Sequence, residues 1–203
     1  MRNLMTEMIS RSHACQAHKP PTINTRFQQR ETILARVTGE HVGLDVFAMP
    51  PVRSEGIMYD RFALAVDTLS GYVMIFPMQQ LGLTGSKLAK RMVAQWVDVF
   101  GVLSLITSEK RSIFVGAWWK TICSLLGIGQ AFSHAYYHQG NGKVERAGRD
   151  IKDWLGRATI GGRESWYEVL PMVRRMYHDT PGVTGCSPQR IVFNCERHLA
   201  GVP

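Results

Sequence analysis

The stretch HVGLDVFAM (His41–Met49) sets Val42, Leu44 and Val46 against Gly43, Asp45 and Phe47. That period of two predicts a strand. Prolines 50 and 51 follow and are expected to end it, because proline has no N–H to give a sheet ladder. RFALAVDTL (Arg61–Leu69) predicts a second strand, Ser70-Gly71 a turn, and YVMIFPM (Tyr72–Met78) a third strand. Three strands with short links predict an antiparallel meander.

The period then lengthens. Between Thr84 and Gly101, Leu88, Met92, Trp96, Val99 and Phe100 recur at helical spacing, with Gly101 closing the helix. A short strand, Val102–Thr107, comes next, and Glu109 is expected just past its end. Gly116–Gly127 predicts a helix and Gln130–Ser133 a brief strand, leading into the loop AYYHQGNG. Gly142–Ala158 is a helix with Val144, Ile151, Trp154, Leu155 and Ala158 toward the core. Ser165–His178 and Ser187–Phe193 complete the set, the last with Ser187 as cap and Pro188 in the first turn. Trp96, Trp118, Trp119 and Trp154 fall within helical core patterns. The order predicts an α/β fold, a mixed sheet with helices packed on it. Residues 1–39 are polar and irregular and read as an N-terminal arm. Residues 40–160 then form the core domain, and 161–203 trailing helices packed on it.

Charge narrows the class of partner. The net charge is +8, and 17 of the 24 basic residues are arginine. Arginine's planar fork suits phosphate, so the composition leans toward nucleic acid, although a generic basic protein would share it. No run approaches the roughly 18 apolar residues of a membrane helix, and no membrane partner is expected. Cys15, Cys123, Cys186 and Cys195 form no C-x-x-C pair and read as free thiols in a reducing, intracellular compartment.

Three acids stand at element ends. Asp45 lies in the first strand, Glu109 beyond the fourth, and Glu145 in the first turn of the helix after the glycine loop. Thirty-five residues separate Glu109 from Glu145. Carboxylates converging from separate elements can hold two divalent cations about 3.5–4 Å apart for phosphodiester chemistry. Asp45, Glu109 and Glu145 are therefore candidate catalytic and metal-ligating residues, with Mg2+ or Mn2+ as the cofactor. Plainer readings stand beside this one: Asp45 as an acid capping a neighbouring amide, and Glu145–Arg149 as a surface i, i+4 pair.

These residues carry a resemblance. HVGLDVFAM, AVDTLSGYVMIFPM, FGVLSLITSEKRSIF, AYYHQGNGKVERAGRDIKDWL and the tail SWYEVLPMVRRMYHDTPGVTGCSPQRIVF follow in order from about Gly39 to Asn194. Together they resemble the integrase catalytic core of long-terminal-repeat retroelements, most of all the gypsy type. The family pattern has an Asp on the opening strand, S-D-x-G-x-x-F after the fourth, and A-Y-H-P-Q-x-N-G-x-V-E-R entering a helix 35 residues on. The resemblance implies a ribonuclease H-like fold, a mixed five-stranded sheet flanked by helices, and metal-dependent DNA strand transfer. It also implies that the Glu145 helix runs along DNA. Lys143, Arg146, Arg149 and Lys152 are then candidate nucleic-acid contacts, with Lys110, Arg111 and Asn141. A solvated helix face is the plain alternative for these cations. Asp67 matches a family strand acid that ligates no metal. DNA is the expected partner, with RNA as the other candidate, in a homodimer or a larger complex. The expected compartment is the nucleus for a working integrase, or else an organelle.

The pattern is broken in places. Glu109 stands where the family has Asp, Arg111 where it has a turn glycine, and Tyr137-His138 where it has His-Pro. Glutamate reaches one methylene further, and a catalytic group misplaced by about 1 Å can cost on the order of a hundredfold. Lys110 or Arg111 either pairs with Glu109 and competes with metal or meets phosphate, and a rebuilt loop is expected at Arg111. Upstream, SHACQAHK keeps Cys15, Gln16 and Lys19 of a zinc module's end but has Ser12 at its first cysteine position. Zinc is not expected there, because His13, Cys15 and His18 lie too close together for a four-ligand site. Three functional classes remain: an integrase core, active or, more readily, impaired; a co-opted non-catalytic subunit of a larger, ribonucleoprotein-type assembly; and, more weakly, a dimerising interaction module without nucleic acid.

Overall fold

The computed structural model describes residues 35–79, 85–133, 142–160, 162, 164–182 and 184–196. The segment read as the end of a zinc module, the loop with Tyr137 and His138, and Asn141 lie outside the described residues.

Five strands form one mixed sheet: β1 (His41–Ser54), β2 (Ile57–Asp67), β3 (Val73–Met78), β4 (Leu105–Glu109) and β5 (Gly129–Ser133), in the order β3-β2-β1-β4-β5. β1, β2 and β3 form the expected antiparallel meander, while β4 and β5 pair in parallel with β1 and with each other. The helical elements are α1 (Gly85–Met92), a π-helical turn (Val93–Val97), α2 (Asp98–Phe100), α3 (Ser112–Val115), α4 (Ala117–Leu125), α5 (Gly142–Ala158), α6 (Trp166–Asp179) and α7 (Pro188–Phe193).

The sheet separates two cores. On one face Val42, Leu44, Val46, Ala63, Ala65 and Phe76 meet Leu88, Met92, Trp96, Phe114 and Trp119. On the other Phe62, Leu64, Val66, Val73 and Ile75 meet Val144, Ile151 and Leu155 of α5 and Val169, Leu170 and Val173 of α6. Alternation along each strand assigns the faces. Trp96 and Trp119 are buried and Trp154 is partly buried.

Several boundaries move. β1 does not stop at Pro50-Pro51 but continues to Ser54, because the register with β2 breaks between Ala48 and Val52. The two prolines sit in that irregularity, where no ladder bond is asked of them. β2 starts at Ile57 and ends at Asp67, earlier at both ends than the pattern indicates. β4 runs from Leu105 to Glu109 rather than from 102 to 107. Glu109 is thus the last residue of the strand, opposite Ser133.

The single helix expected over 84–101 is interrupted by the π-helical turn. Within that turn, buried Trp96 donates its indole N–H to the Gly39 carbonyl at 3.3 Å. Gly39 has φ +81°, and a Cβ there would stand 2.4 Å from the Phe100 Cβ. The residues just before β1 are therefore fixed against the helical layer.

Candidate active site

Face and level bring the acids together. On β1, Val42, Leu44 and Val46 point to the α1 side, so Asp45 points to the α5 side. On β4, Ile106 points to the α1 side, so Glu109 shares the face of Asp45. Leu44 is paired with Ser108, and the next step along both strands sets Glu109 beside Asp45. Glu145 lies in the first turn of α5, which packs on this face.

α5 is seated by a close contact. A Cβ on Gly148 would lie 2.0 Å from Cζ of Phe47. Phe47 is stacked on Phe62 with ring centroids 5.4 Å apart. Only glycine lets the helix sit that near β1, two residues along the strand from Asp45. A glycine inside a helix costs about 1 kcal/mol relative to alanine, which was the sequence's signal of close packing here.

Arg111 occupies the centre of the site. Its Nη2 lies 3.3 Å from Oδ1 of Asp45, and its Nε donates to Oε2 of Glu109 at 3.1 Å. Asp45 is only 4% exposed, and Oδ1 also accepts from the Val46 N–H at 2.7 Å. Burial pushes the Asp45 carboxyl above the usual aspartate range. The Val46 N–H and Arg111 pull it back down, while the charges of Glu109 and Glu145 push it up again. Both glutamates thus act on Asp45 across the cleft. Of the two roles open to Arg111, the geometry shows the ion pair.

The expected rebuilt loop is a modest one. Arg111 is extended, at φ −91° and ψ 151°, and precedes the short helix α3. Its N–H donates to the Glu109 carbonyl at 2.8 Å. This path requires no positive φ, so an arginine fits without backbone strain. Lys110 is exposed beside it.

The α5 cations divide by helix face. Arg149 and Lys152 follow Glu145 at i+4 and i+7, so they share its flank and are exposed. Lys143 instead donates to the Thr68 carbonyl and ties the start of α5 to the β2–β3 turn. Arg146 faces α6, where it and Asp150 act on the Tyr177 hydroxyl, which burial pushes up to about 12.

Asp67 is a structural hub. Fully buried, it accepts from the Gly39 N–H at 2.9 Å, the Ser70 N–H at 2.8 Å and the Ser70 hydroxyl at 2.5 Å.

Among the described residues, no three His, Cys, Asp or Glu side chains are arranged to hold a metal ion. Two of the three candidate acids already share an arginine. As they stand, these residues do not fit a divalent metal.

The sheet order, the two helical layers and the placement of three acids on one face define the ribonuclease H-like fold of integrase catalytic cores. The catalytic core domain of BIV integrase has this fold, with a TM-score of 0.61 at 23% identity, over 77% of this chain and 95% of that one. So does the HTLV-2 integrase catalytic core domain in complex with magnesium, with a TM-score of 0.61 at 15% identity, over 78% of this chain and 99% of that one. In sequence the chain is similar to the Pol polyprotein of Radiation murine leukemia virus (strain Kaplan), 30% identical over 136 residues. It is also similar to the Gag-Pol polyprotein of Feline leukemia virus, 28% identical over 143 residues. These matches cover 66% and 70% of the chain, which spans only 23% and 8% of those polyproteins. No family model matches.

Proposed function

We propose that the chain is a retroelement integrase core of the gypsy type, that it binds nucleic acid along the α5 cleft, and that its inherited DNA-integration chemistry is impaired. The observation carrying the impairment is the Arg111 guanidinium seated on Asp45 and Glu109. A divalent cation would compete with it for both carboxylates, and Glu109 extends one methylene further than the family's aspartate. The net charge of +8 and the exposed Arg149 and Lys152 support the nucleic-acid partner. DNA is the partner this reading favours, followed by RNA. Work as a homodimer or as part of a larger assembly belongs to the same reading.

The same arginine supports a second reading, reuse as a non-catalytic nucleic-acid-binding or structural subunit of a ribonucleoprotein-type assembly. Three open carboxylates repel a phosphate backbone. A cluster partly neutralised from within lets one approach.

The test is strand transfer on a labelled duplex with Mg2+ or Mn2+. The unaltered chain is compared with Glu109→Asp, Arg111→Gly and the double variant. Product only after reversion is the expected result. Efficient transfer by the unaltered chain, lost in Asp45→Ala, would overturn the impairment.

A further inference from the structure

A second basic feature lies away from the acids. α1 carries Lys87, Lys90 and Arg91 at i, i+3 and i+4, all exposed, while Leu88, Ala89 and Met92 are buried. That spacing puts the three cations along one side of the helix. They rim a pocket of about 320 Å³ whose remaining wall is Ile57, Tyr59, Pro77, Met78 and Gln79. None of the lining residues is acidic.

The pocket is built rather than incidental. Arg91 donates from Nη1 to the Pro77 carbonyl at 2.6 Å, which holds its guanidinium at the end of β3. Tyr59 is stacked on Tyr167 with centroids 4.4 Å apart and rings within 20° of parallel. Ile57, in the pocket wall, is 37% exposed. Glu55 and Arg91 both act on the Tyr167 hydroxyl, so an acid does stand near this rim.

Position relates the pocket to the cleft. Asp45 pairs with Leu64, Arg61 lies three residues along β2, and Arg61 pairs with Met78. The pocket is thus three steps along the strands and two strands across from Asp45. Strand geometry makes that separation roughly 14 Å.

We propose that this pocket binds a single-stranded segment of nucleic acid, with Lys87, Lys90 and Arg91 on its phosphates and, against a sugar and base, Ile57 and the small parts of Tyr59 and Met78 left exposed. The volume is at the low end for a small-molecule site and suits one nucleotide rather than a duplex. A cationic rim over an apolar and aromatic wall is the arrangement by which single strands are held without sequence preference. The inference builds on the nucleic-acid reading above and adds a strand preference to it.

The experiment uses the full chain and fluorescence anisotropy with a labelled 12-nucleotide oligo-dT, and in parallel a labelled duplex, over a series of salt concentrations. In Lys87→Gln/Lys90→Gln the single-strand Kd is expected to rise at least tenfold. The salt slope should fall by about 1.4, for two lost phosphate contacts. Duplex affinity should move less than twofold. Ile57→Ser, which leaves the charge intact, should weaken the single strand about threefold with no change of slope. Single-strand affinity within twofold of the unaltered chain in the double variant would overturn the site. So would equal losses for single strand and duplex, or a poly-glutamate peptide that binds at least as tightly through the same two lysines. If the unaltered chain binds neither strand form, the nucleic-acid reading itself falls. If duplex binding persists and the single strand ignores Lys87 and Lys90, only this pocket is refuted.

Discussion

Arg111, two residues past the end of β4, meets Asp45, inside the parallel β1, at 3.3 Å, one side chain half-exposed and the other buried. The contact makes the acid cluster carry its own cation. Arg111→Gly should therefore lower stability and raise affinity for divalent metal together. A fully buried ion pair broken on one side costs about 3–5 kcal/mol. The Arg111 side chain is 45% exposed, so solvent screens part of this and about 1–2 kcal/mol is expected. Thermal melts with and without Mn2+ check it: the variant should gain a metal-dependent rise in Tm that the unaltered chain lacks.

The two faces of α5 should separate in binding. Arg149→Gln/Lys152→Gln should weaken duplex binding and reduce the salt slope by about 1.8, for two phosphate contacts. Lys143 is tied to Thr68 and Arg146 faces Tyr177, so Lys143→Gln/Arg146→Gln should change the slope much less. Equal effects from the two pairs would mean a diffuse field rather than a cleft.

Gly148 and Phe47 form a pair that sets the height of α5 over the sheet. Gly148→Ala gains about 1 kcal/mol of helix propensity, yet it should destabilise by about 1–3 kcal/mol through overpacking. Phe47→Leu alone should also destabilise. The double variant should recover part of the loss, with a coupling of at least about 0.5 kcal/mol in a denaturant double-mutant cycle. Simple additivity would rule the contact out as the determinant.

Asp67→Ala leaves the Gly39 N–H, the Ser70 N–H and the Ser70 hydroxyl without their acceptor. An orphaned buried donor costs about 1–3 kcal/mol. A loss of about 3 kcal/mol is expected by urea unfolding, with metal affinity unaffected.

Ser165 and Glu168 cap α6 reciprocally. Glu168 accepts from the Ser165 N–H at 2.7 Å, and the Ser165 hydroxyl accepts from the Glu168 N–H at 3.4 Å. Ser165→Ala should cost about 1 kcal/mol. The Ser165 backbone N–H and then its hydroxyl hold the Glu168 carboxyl below the usual glutamate range. A lowered folded pKa gives stability that is present above the unfolded value and is lost as pH falls through the folded one. Acid titration of unfolding should show that loss, and Glu168→Gln should remove it.

Local pattern was enough for most elements. Gly142–Ala158 has the bounds its periodicity indicates, and the Ser187-Pro188 start of α7 has its expected cap, because both depend on neighbours in the chain. The strand edges at Ser54, Asp67 and Glu109 were not legible, since they depend on which residue lies opposite. His178 gave no signal in sequence. In the fold it is buried, stacked on Tyr72 at 3.9 Å and within 2.9 Å of the Val73 carbonyl, 105 residues away in the chain.

The sequence by itself determined the order of strands and helices, the basic balance, and the three acids with their 35-residue interval. It left two roles open for Arg111, an ion pair or a phosphate contact. Only the tertiary structure shows the ion pair, because it rests on parallel pairing that puts β4 beside β1 and on both acids pointing to one face. The same holds for the pocket at Lys87 and Lys90, whose wall brings the start of β2 beside the end of β3. Spacing along a chain fixes which side chains share an element. Which elements come within reach of one charge is settled by packing.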